Sequence, residues 1–201
     1  VSLKKEFKIA GLIMAAGGSS RLDSPKQLLK WGDQLLINHV LDVIMKAGID
    51  PIYLVLGSHA EEIRKVLPSS GINILTNPDW REGMSTSIKC GLNALGEDVE
   101  GTFIFLSDQP FVFPELIRAI TVKFTDTGAQ ISAPRVNGRQ CNPVLFRRSF
   151  FPDLMTISGD RGAKNLISQH EVAWVDWPDE RLLLDIDSAE DYRRAFSKDG
   201  E

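Results

Sequence analysis

The stretch that decides the fold lies near the start. Lys8-Ile-Ala-Gly-Leu-Ile-Met14 is an apolar run, and Ala15-Ala-Gly-Gly-Ser-Ser-Arg-Leu-Asp-Ser-Pro-Lys26 follows it at once. Basic residues ahead of an apolar stretch resemble a secretory leader in outline. The stretch is short, however, and a glycine-rich segment with useful chemistry comes directly after it, so it reads as a first strand leaving through a turn. Downstream, hydrophobic periods of two kinds alternate. Leu36–Lys46 carries Leu36, Ile37, Val40, Leu41 and Ile44 on one helical face, and Gly48 supplies a stop. Pro51–Leu56 is a continuous apolar run suited to a buried strand, Ala60–Leu67 is a helix ended by Pro68, and Ile72–Leu75 is a short strand. Met84–Leu95 is a helix, Thr102–Leu106 a buried strand, and Pro114–Phe124 a helix with proline in its first turn. Strand-helix alternation over the first 130 residues predicts an α/β domain with a mostly parallel sheet.

The last third is less regular. Ile131–Ala133 and Pro143–Phe146 read as strands, close enough in sequence for one to run antiparallel. Arg161–Ser168 reads as a helix, Val172–Val175 and Leu182–Ile186 as further strands, and Ser188–Phe196 as a final helix. Ser188 and Asp191 have the spacing of a capping box. The expectation is one domain over 1–201, with residues from about 131 extending the same sheet. Composition agrees: 201 residues, 43% apolar, 25% charged and a net charge of −4 describe an ordinary globular domain. No apolar run approaches the length of a membrane span. Neither half carries the basic excess of a phosphate-backbone reader, which argues against a nucleic-acid partner. Two cysteines, Cys90 and Cys141, are too few for a disulfide framework and fit a reducing, cytoplasmic setting.

Ligands of open parallel sheets bind beyond the carboxyl ends of the strands, so the segments after each strand carry the chemistry. After the first strand, Ala15, Ala16, Gly17 and Gly18 permit close backbone approach, Ser19 and Ser20 offer hydroxyls, and Arg21 and Lys26 add two positive charges. Consecutive N–H groups there can form an anion nest. The loop is neither a Walker A nor a dinucleotide motif, and a solvated surface turn accounts for the same residues. Asp108, in Ser107-Asp108-Gln109-Pro110 at the tip of a central strand, suits a hard divalent cation, or equally a turn. Asp185 and Asp187 alternate along the expected strand and share a face, where they complete a magnesium site with Asp108 or stand as solvated charges. Gly83 and Ser87, in Asn77-Pro-Asp-Trp-Arg-Glu-Gly-Met-Ser-Thr-Ser87, lie at a helix N-terminus suited to a base and ribose, or form a well-capped helix. His39, His59 and His170 have no ligand spacing and read as surface or packing residues.

These motifs together resemble the MobA-like NTP transferases over about residues 9–196. AAGGSSRLDSPK is similar to that family's AAG-x-S-x-R-M-G-x-x-K loop, with Leu22 and Asp23 in place of Met and Gly. NPDWREGMSTS is similar to its N-P-x-W-x-x-G-M-x-x-S segment. QLLKWGDQLLINHVL, SDQP, SGDRGAKNL and DIDSAEDY resemble further segments. The resemblance implies a three-layer Rossmann-like fold of the nucleotide-diphospho-sugar transferase type. Residues 8–130 become a nucleotide-binding half and 131–201 an acceptor side. It implies Mg²⁺-dependent transfer of CMP from CTP to the terminal phosphate of molybdopterin, with pyrophosphate released and a molybdoenzyme as eventual client. Carried over, Ala15 to Ser20 and Ser87 contact the nucleotide, Arg21 and Lys26 act on its phosphates, and Asp108 and Asp187 hold Mg²⁺, with Asp185 a weaker ligand. Asn142 and Asp160 fall on the acceptor side. Relatives that use GTP tend to have glycine where Ala16 stands, which favours CTP. Cys141-Asn142-Pro-Val replaces the family's Gly-His-Pro-Val and leaves the acceptor open. Three other readings use the same residues: a guanylyltransferase that uses GTP, transfer to a sugar-1-phosphate or another phosphorylated metabolite, and a non-catalytic module that binds nucleotide or cofactor.

Overall fold

The structure is a computed structural model, and it describes residues 7–19, 22, 24–160 and 162–198. The strands are β1 (Ile9–Ala15), β2 (Lys30–Trp31), β3 (Gln34–Leu35), β4 (Ile52–Leu56), β5 (Asn73–Thr76), β6 (Gly101–Leu106), β7 (Ile131–Val136), β8 (Arg139–Gln140), β9 (Val144–Arg147) and β10 (Ala173–Asp176). The helices are α1 (Leu36–Lys46), α2 (Ala60–Arg64), α3 (Met84–Asn93), α4 (Pro114–Thr127), α5 (Phe151–Leu154), α6 (Lys164–Ile167) and α7 (Ala189–Lys198). Eight strands form one sheet in the order β10-β7-β9-β6-β1-β4-β5, with β8 paired to β7, and β2 and β3 make a separate hairpin.

The apolar run quoted first becomes the central strand. β1 pairs in parallel with β4 on one side and β6 on the other, placing Ile13 opposite both Leu54 and Phe105. Every residue of β1 is buried, as a strand covered on both faces requires. Its side chains alternate between two cores. Ile9 and Ile13 join Ile37, Leu41, Ile44, Leu116, Ile120 and Phe124 of α1 and α4. Leu12 and Met14 join Ile88 and Leu92 of α3, Leu154 of α5 and Ile167 of α6. Helices therefore cover both faces of the sheet, as the sequence pattern predicts. Leu116, Ile117, Ile120 and Phe124 of α4 are completely buried. Such a side chain contributes about 1.5–3 kcal/mol relative to an exposed one. A third cluster joins Trp31, Leu36 and Phe111 to Ile186 and Ala195, so α7 is docked through the β2–β3 hairpin.

The last third extends the same sheet in mixed fashion. β9 is antiparallel to β6 and to β7, while β10 is parallel to β7. One expected strand is absent. Residues 180–183 form a 3-10 turn and 184–187 are irregular, held by a bond from the Ile186 N–H to the Asp108 carbonyl at 3.0 Å. Leu182 and Ile186 are buried beneath a segment that runs over the sheet rather than in it, so alternation there reflects packing against a loop path. The expected 161–168 helix is shorter in its described part, Lys164–Ile167. Ser188 does cap α7: the Asp191 N–H donates to Ser188 Oγ at 3.2 Å and the Ser188 hydroxyl to Asp191 Oδ2 at 2.6 Å.

Candidate functional site

The chain leaves β1 to one side of the sheet, toward β4 and β5, and later returns to its other side as β6. Neighbouring strands whose connections depart in opposite directions open a crevice at their carboxyl ends. A cleft of about 550 Å³ lies there, lined by Ala16, Gly17, Ser19 and Lys26 from the first loop, Ser107 and Asp108 after β6, and Gly83 and Ser87 at the start of α3. Ala15 sits just beneath, as the last residue of β1.

The loop after β1 is tied down from several directions. Ser58 N–H donates to the Ala16 carbonyl at 3.0 Å, and the buried Gln27 amide donates to the Ala15 carbonyl at 3.1 Å. Lys26 N–H donates to Ser19 Oγ at 2.9 Å, closing the loop on itself. The N–H groups of Gly17, Gly18 and Ser19 donate to no described residue. Consecutive N–H groups left without a described acceptor suit an anion. Trp80 packs against the loop and lines the cleft. A Cβ added at Gly57 lands 2.6 Å from Trp80 Cγ, and one at Gly18 lands 3.4 Å from the indole ring. Arg81 stands 4.5 Å over that ring. Glycine at position 57 is thus what lets the indole lie flat against the loop. Ser20, Arg21 and Asp23 lie outside the described residues.

The charged centre sits at the floor of the cleft. The Lys26 ammonium donates to Asp108 Oδ2 and, at 3.1 Å, to Asp187 Oδ1. Lys26 and Asp108 are each 15% exposed at the side chain, and Asp187 is 43% exposed. Burial by itself pulls the Lys26 pKa down. The charges and hydrogen bonds of Asp108 and Asp187 outweigh it, so the ammonium lies above its ordinary value of 10.5. Asp108 Oδ1 is buried and has no partner among the described residues. Two carboxylates that already hold a cation between them, one with an oxygen to spare, fit a divalent ion. Among the described residues, no three His, Cys, Asp or Glu side chains converge to hold a metal unaided.

No strand forms at Asp185, yet Asp185 and Asp187 still line the same cleft. Gln109 Nε2 donates to Asp185 Oδ1 at 2.7 Å, and Asp185 lines both the nucleotide-side cleft and a second cavity. The side chain reaches solvent, but protein atoms surround it within the cleft. That desolvation raises its pKa, and the charges of Asp108 and Asp187 add to the rise while Gln109 partly offsets it.

The second cavity, of about 410 Å³, lies between α3, β6, β9 and α6. Ile88, Ile104, Val144 and Ile167 give it apolar walls, and Gln109, Arg139, Asn142 and Lys164 add polar groups. Met84, Leu106, Asp160 and Asp185 line both spaces. Asp160, expected on the acceptor side, therefore stands at the boundary. It is held over the α3 N-terminus, where Ser85 N–H donates to the Gly159 carbonyl at 3.1 Å. Gly83 is required beneath it: its φ is +108°, and a Cβ there lands 2.6 Å from the Gly159 carbonyl carbon. Cys141 is buried in the second cavity's wall, and burial pushes its thiol up. It is a weak donor to the Arg139 carbonyl at 3.5 Å rather than a thiolate. The three histidines are engaged locally: His39 with the Pro110 carbonyl, His59 with Glu62 and His170 with the Leu166 carbonyl.

Two residues escaped the sequence reading of roles. Gln109 was visible only as part of an acidic turn, and its bond to Asp185 spans the chain. Asn77 is buried and donates to Thr86 and Ser87, which no local spacing announces.

Comparison with known proteins agrees with this geometry. The chain is 26% identical over 185 residues to the molybdenum cofactor cytidylyltransferase of Escherichia coli K12, covering 90% of this chain and 92% of that one. It is 24% identical over 192 residues to a probable molybdenum cofactor guanylyltransferase of Mycobacterium avium, covering 93% and 94%. A crystal structure of Rv0371c from Mycobacterium tuberculosis H37Rv in complex with manganese superimposes with a TM-score of 0.82 at 29% identity, covering 95% of this chain and 99% of that one. Residues 11–173 match the model of the MobA-like NTP transferase domain, a span that takes in the first loop, the Asp108 turn and most of the walls of both cavities, and the chain belongs to that family.

Proposed function

We propose that this protein transfers CMP from CTP to the terminal phosphate of molybdopterin-type cofactor, releasing pyrophosphate. Family membership gives the coarse class, nucleotidyl transfer. The observation that carries the finer reading is the pair of cavities meeting at one wall. The cleft with the loop N–H groups and Lys26 suits a triphosphate, and the apolar cavity with Arg139 and Lys164 suits a ring-bearing anionic acceptor. Both open at Asp160 and Asp185, where the two reactants meet.

The chemistry asks little of the protein beyond alignment and charge stabilisation. A phosphate nucleophile is already anionic near neutral pH, so no general base is needed, in keeping with the local engagement of each histidine. Gly17, Gly18 and Ser19 hold phosphate oxygens through backbone N–H groups, and Lys26 supplies a positive charge to the triphosphate. Arg21 is proposed as a second phosphate ligand. Gly83 and Ser87 place the nucleoside at the start of α3. Asp108 and Asp187 would hold a divalent ion, Mg²⁺ in this reading, with Asp185 beside them. When bound, that ion neutralises charge on the phosphates. Asn142 and Gln109 face the acceptor.

The test supplies molybdenum cofactor, Mg²⁺, and either CTP or GTP, and measures dinucleotide cofactor and pyrophosphate. Transfer with CTP in preference to GTP is expected. Folded protein that transfers neither nucleotide overturns the proposal. Sugar-1-phosphates run in parallel identify the wider acceptor class.

A further inference from the structure

One hydroxyl facing the nucleotide-side cleft has its direction already chosen by the protein. Ser87, in the first turns of α3, and Asn77, just after β5, are each 3% exposed. Asn77 Oδ1 accepts the Asp79 backbone N–H at 3.0 Å. The reverse orientation of the amide sets two donors face to face, so this contact fixes which end is which. Asn77 Nδ2 then donates to Thr86 Oγ1 at 2.8 Å and to Ser87 Oγ at 3.0 Å, committing both of its protons. Thr86 passes its own proton to the carbonyls of Asp79 and Gly83, at 3.0 and 2.9 Å. Ser87 therefore receives a hydrogen bond from behind. Among the described residues its own O–H has no acceptor. A buried hydroxyl left with an uncommitted proton directs it at whatever fills the space it lines. For Ser87 that space is the cleft.

We infer that Asn77 is a positioning residue that makes Ser87 a hydrogen-bond donor to the bound nucleoside, selecting an acceptor oxygen there. The inference rests on the reading of the cleft as the nucleotide site. The matching chemistry is the 2-carbonyl of a pyrimidine or a ribose oxygen. A donor at the same spot, such as the 2-amino group of guanine, turns the Ser87 proton toward a direction with no acceptor among the described residues, and that unmade bond disfavours it.

The experiment measures equilibrium binding of CTP and GTP with Mg²⁺ present and no acceptor. Asn77→Asp keeps the shape but replaces the donor nitrogen with an acceptor. The Ser87 proton turns back onto the new carboxylate, and a lone pair faces the ligand. The CTP dissociation constant is expected to rise about tenfold, equivalent to about 1.4 kcal/mol, and the preference for CTP over GTP to shrink. Turnover at saturating CTP is expected to change much less than KM. Ser87→Ala is expected to weaken CTP binding several-fold, and the double variant to be no worse than the weaker single one, because Asn77 acts through Ser87. Binding of 2′-deoxy-CTP and 2-thio-CTP separates the two sources: the analogue that loses sensitivity to Ser87→Ala carries the contacted atom. Unchanged CTP affinity in Ser87→Ala overturns the inference, and this holds even where Asn77→Asp fails to fold. So does an Asn77→Asp variant that melts lower but keeps the CTP-to-GTP ratio, since that is a purely structural role. Binding is read without transfer, so this inference can fail while the transferase reading stands. Absence of any nucleotide binding sinks both.

Discussion

Lys26→Met removes the ammonium at the floor of the cleft and keeps most of the apolar stem. The wild-type pair with Asp108 is largely desolvated, with both side chains 15% exposed. Removing one partner of a fully buried pair costs about 3–5 kcal/mol. Here Asp108 borders a solvent-filled cleft, and Asp187, 43% exposed, returns to water at a cost of about 1 kcal/mol or less. A net loss of about 2–3 kcal/mol follows. In a domain of this size each kcal/mol lowers the melting temperature by about 2–4 °C, so a fall of about 4–12 °C is expected. Millimolar Mg²⁺ should raise the melting temperature of the variant more than that of the wild type, because the two carboxylates then lack their counter-cation. Transfer activity should fall by about 100-fold or more, the usual scale for losing one group aimed at developing charge. Calorimetry with and without Mg²⁺, beside a pyrophosphate-release assay, reads all three. A variant that melts like wild type shows that the pair is solvated and the energetic reasoning wrong. A variant with near-native turnover removes Lys26 from the phosphate site.

Gly83→Ala forces a side chain into the +108° backbone and against Gly159 and Asp160; a stability loss of about 2–4 kcal/mol is expected in urea titrations, and a loss below about 0.5 kcal/mol contradicts the packing described. Asp108→Asn should retain the fold but lose most transfer, as read by circular dichroism and pyrophosphate release; native activity withdraws it from the site. Asp179 is held below the ordinary carboxylate value, chiefly by its hydrogen bond from Arg181. Its contribution to stability is therefore complete above the unfolded carboxylate pKa and disappears as pH falls through the lower folded value. Unfolding measured from pH 5 down to 2.5 should show a shallower acid loss in Asp179→Asn than in wild type, and parallel curves contradict that linkage.

How far the sequence reveals this molecule depends on the range of the interactions concerned. The central strand, α1 and the helix after Gly83 are legible because their signals are local: an apolar run leaving through glycines, a one-faced stripe, a glycine ahead of serines. The first loop and Asp108 are legible because strand ends in such sheets are where ligands bind. The 184–187 segment misleads because burial of Leu182 and Ile186 under a loop produces the same alternation as a strand. Asp185 there accepts a bond from Gln109 while still lining the cleft beside Asp108 and Asp187. The bond from Tyr192 Oη to the Lys30 carbonyl at 2.7 Å and the pairing of Lys26 with Asp187 join distant parts of the chain, and no window of sequence contains both partners.

The reversed direction of β9 has a consequence for how the chain reaches the working edge of the sheet. In an all-parallel sheet only the exits of strands reach the working edge. Val144, where β9 begins, lies opposite Ile104 near the exit of β6, while Arg147 at its end lies opposite Gly101. The short run Arg139–Pro143 is thereby delivered to the working edge by a strand's entrance. In the proposed reading that run serves the acceptor, apart from the loop after β1 that serves the triphosphate. The acceptor side is thus reached through a strand's entrance and the triphosphate side through a strand's exit, and in that reading the two meet at Asp160 and Asp185.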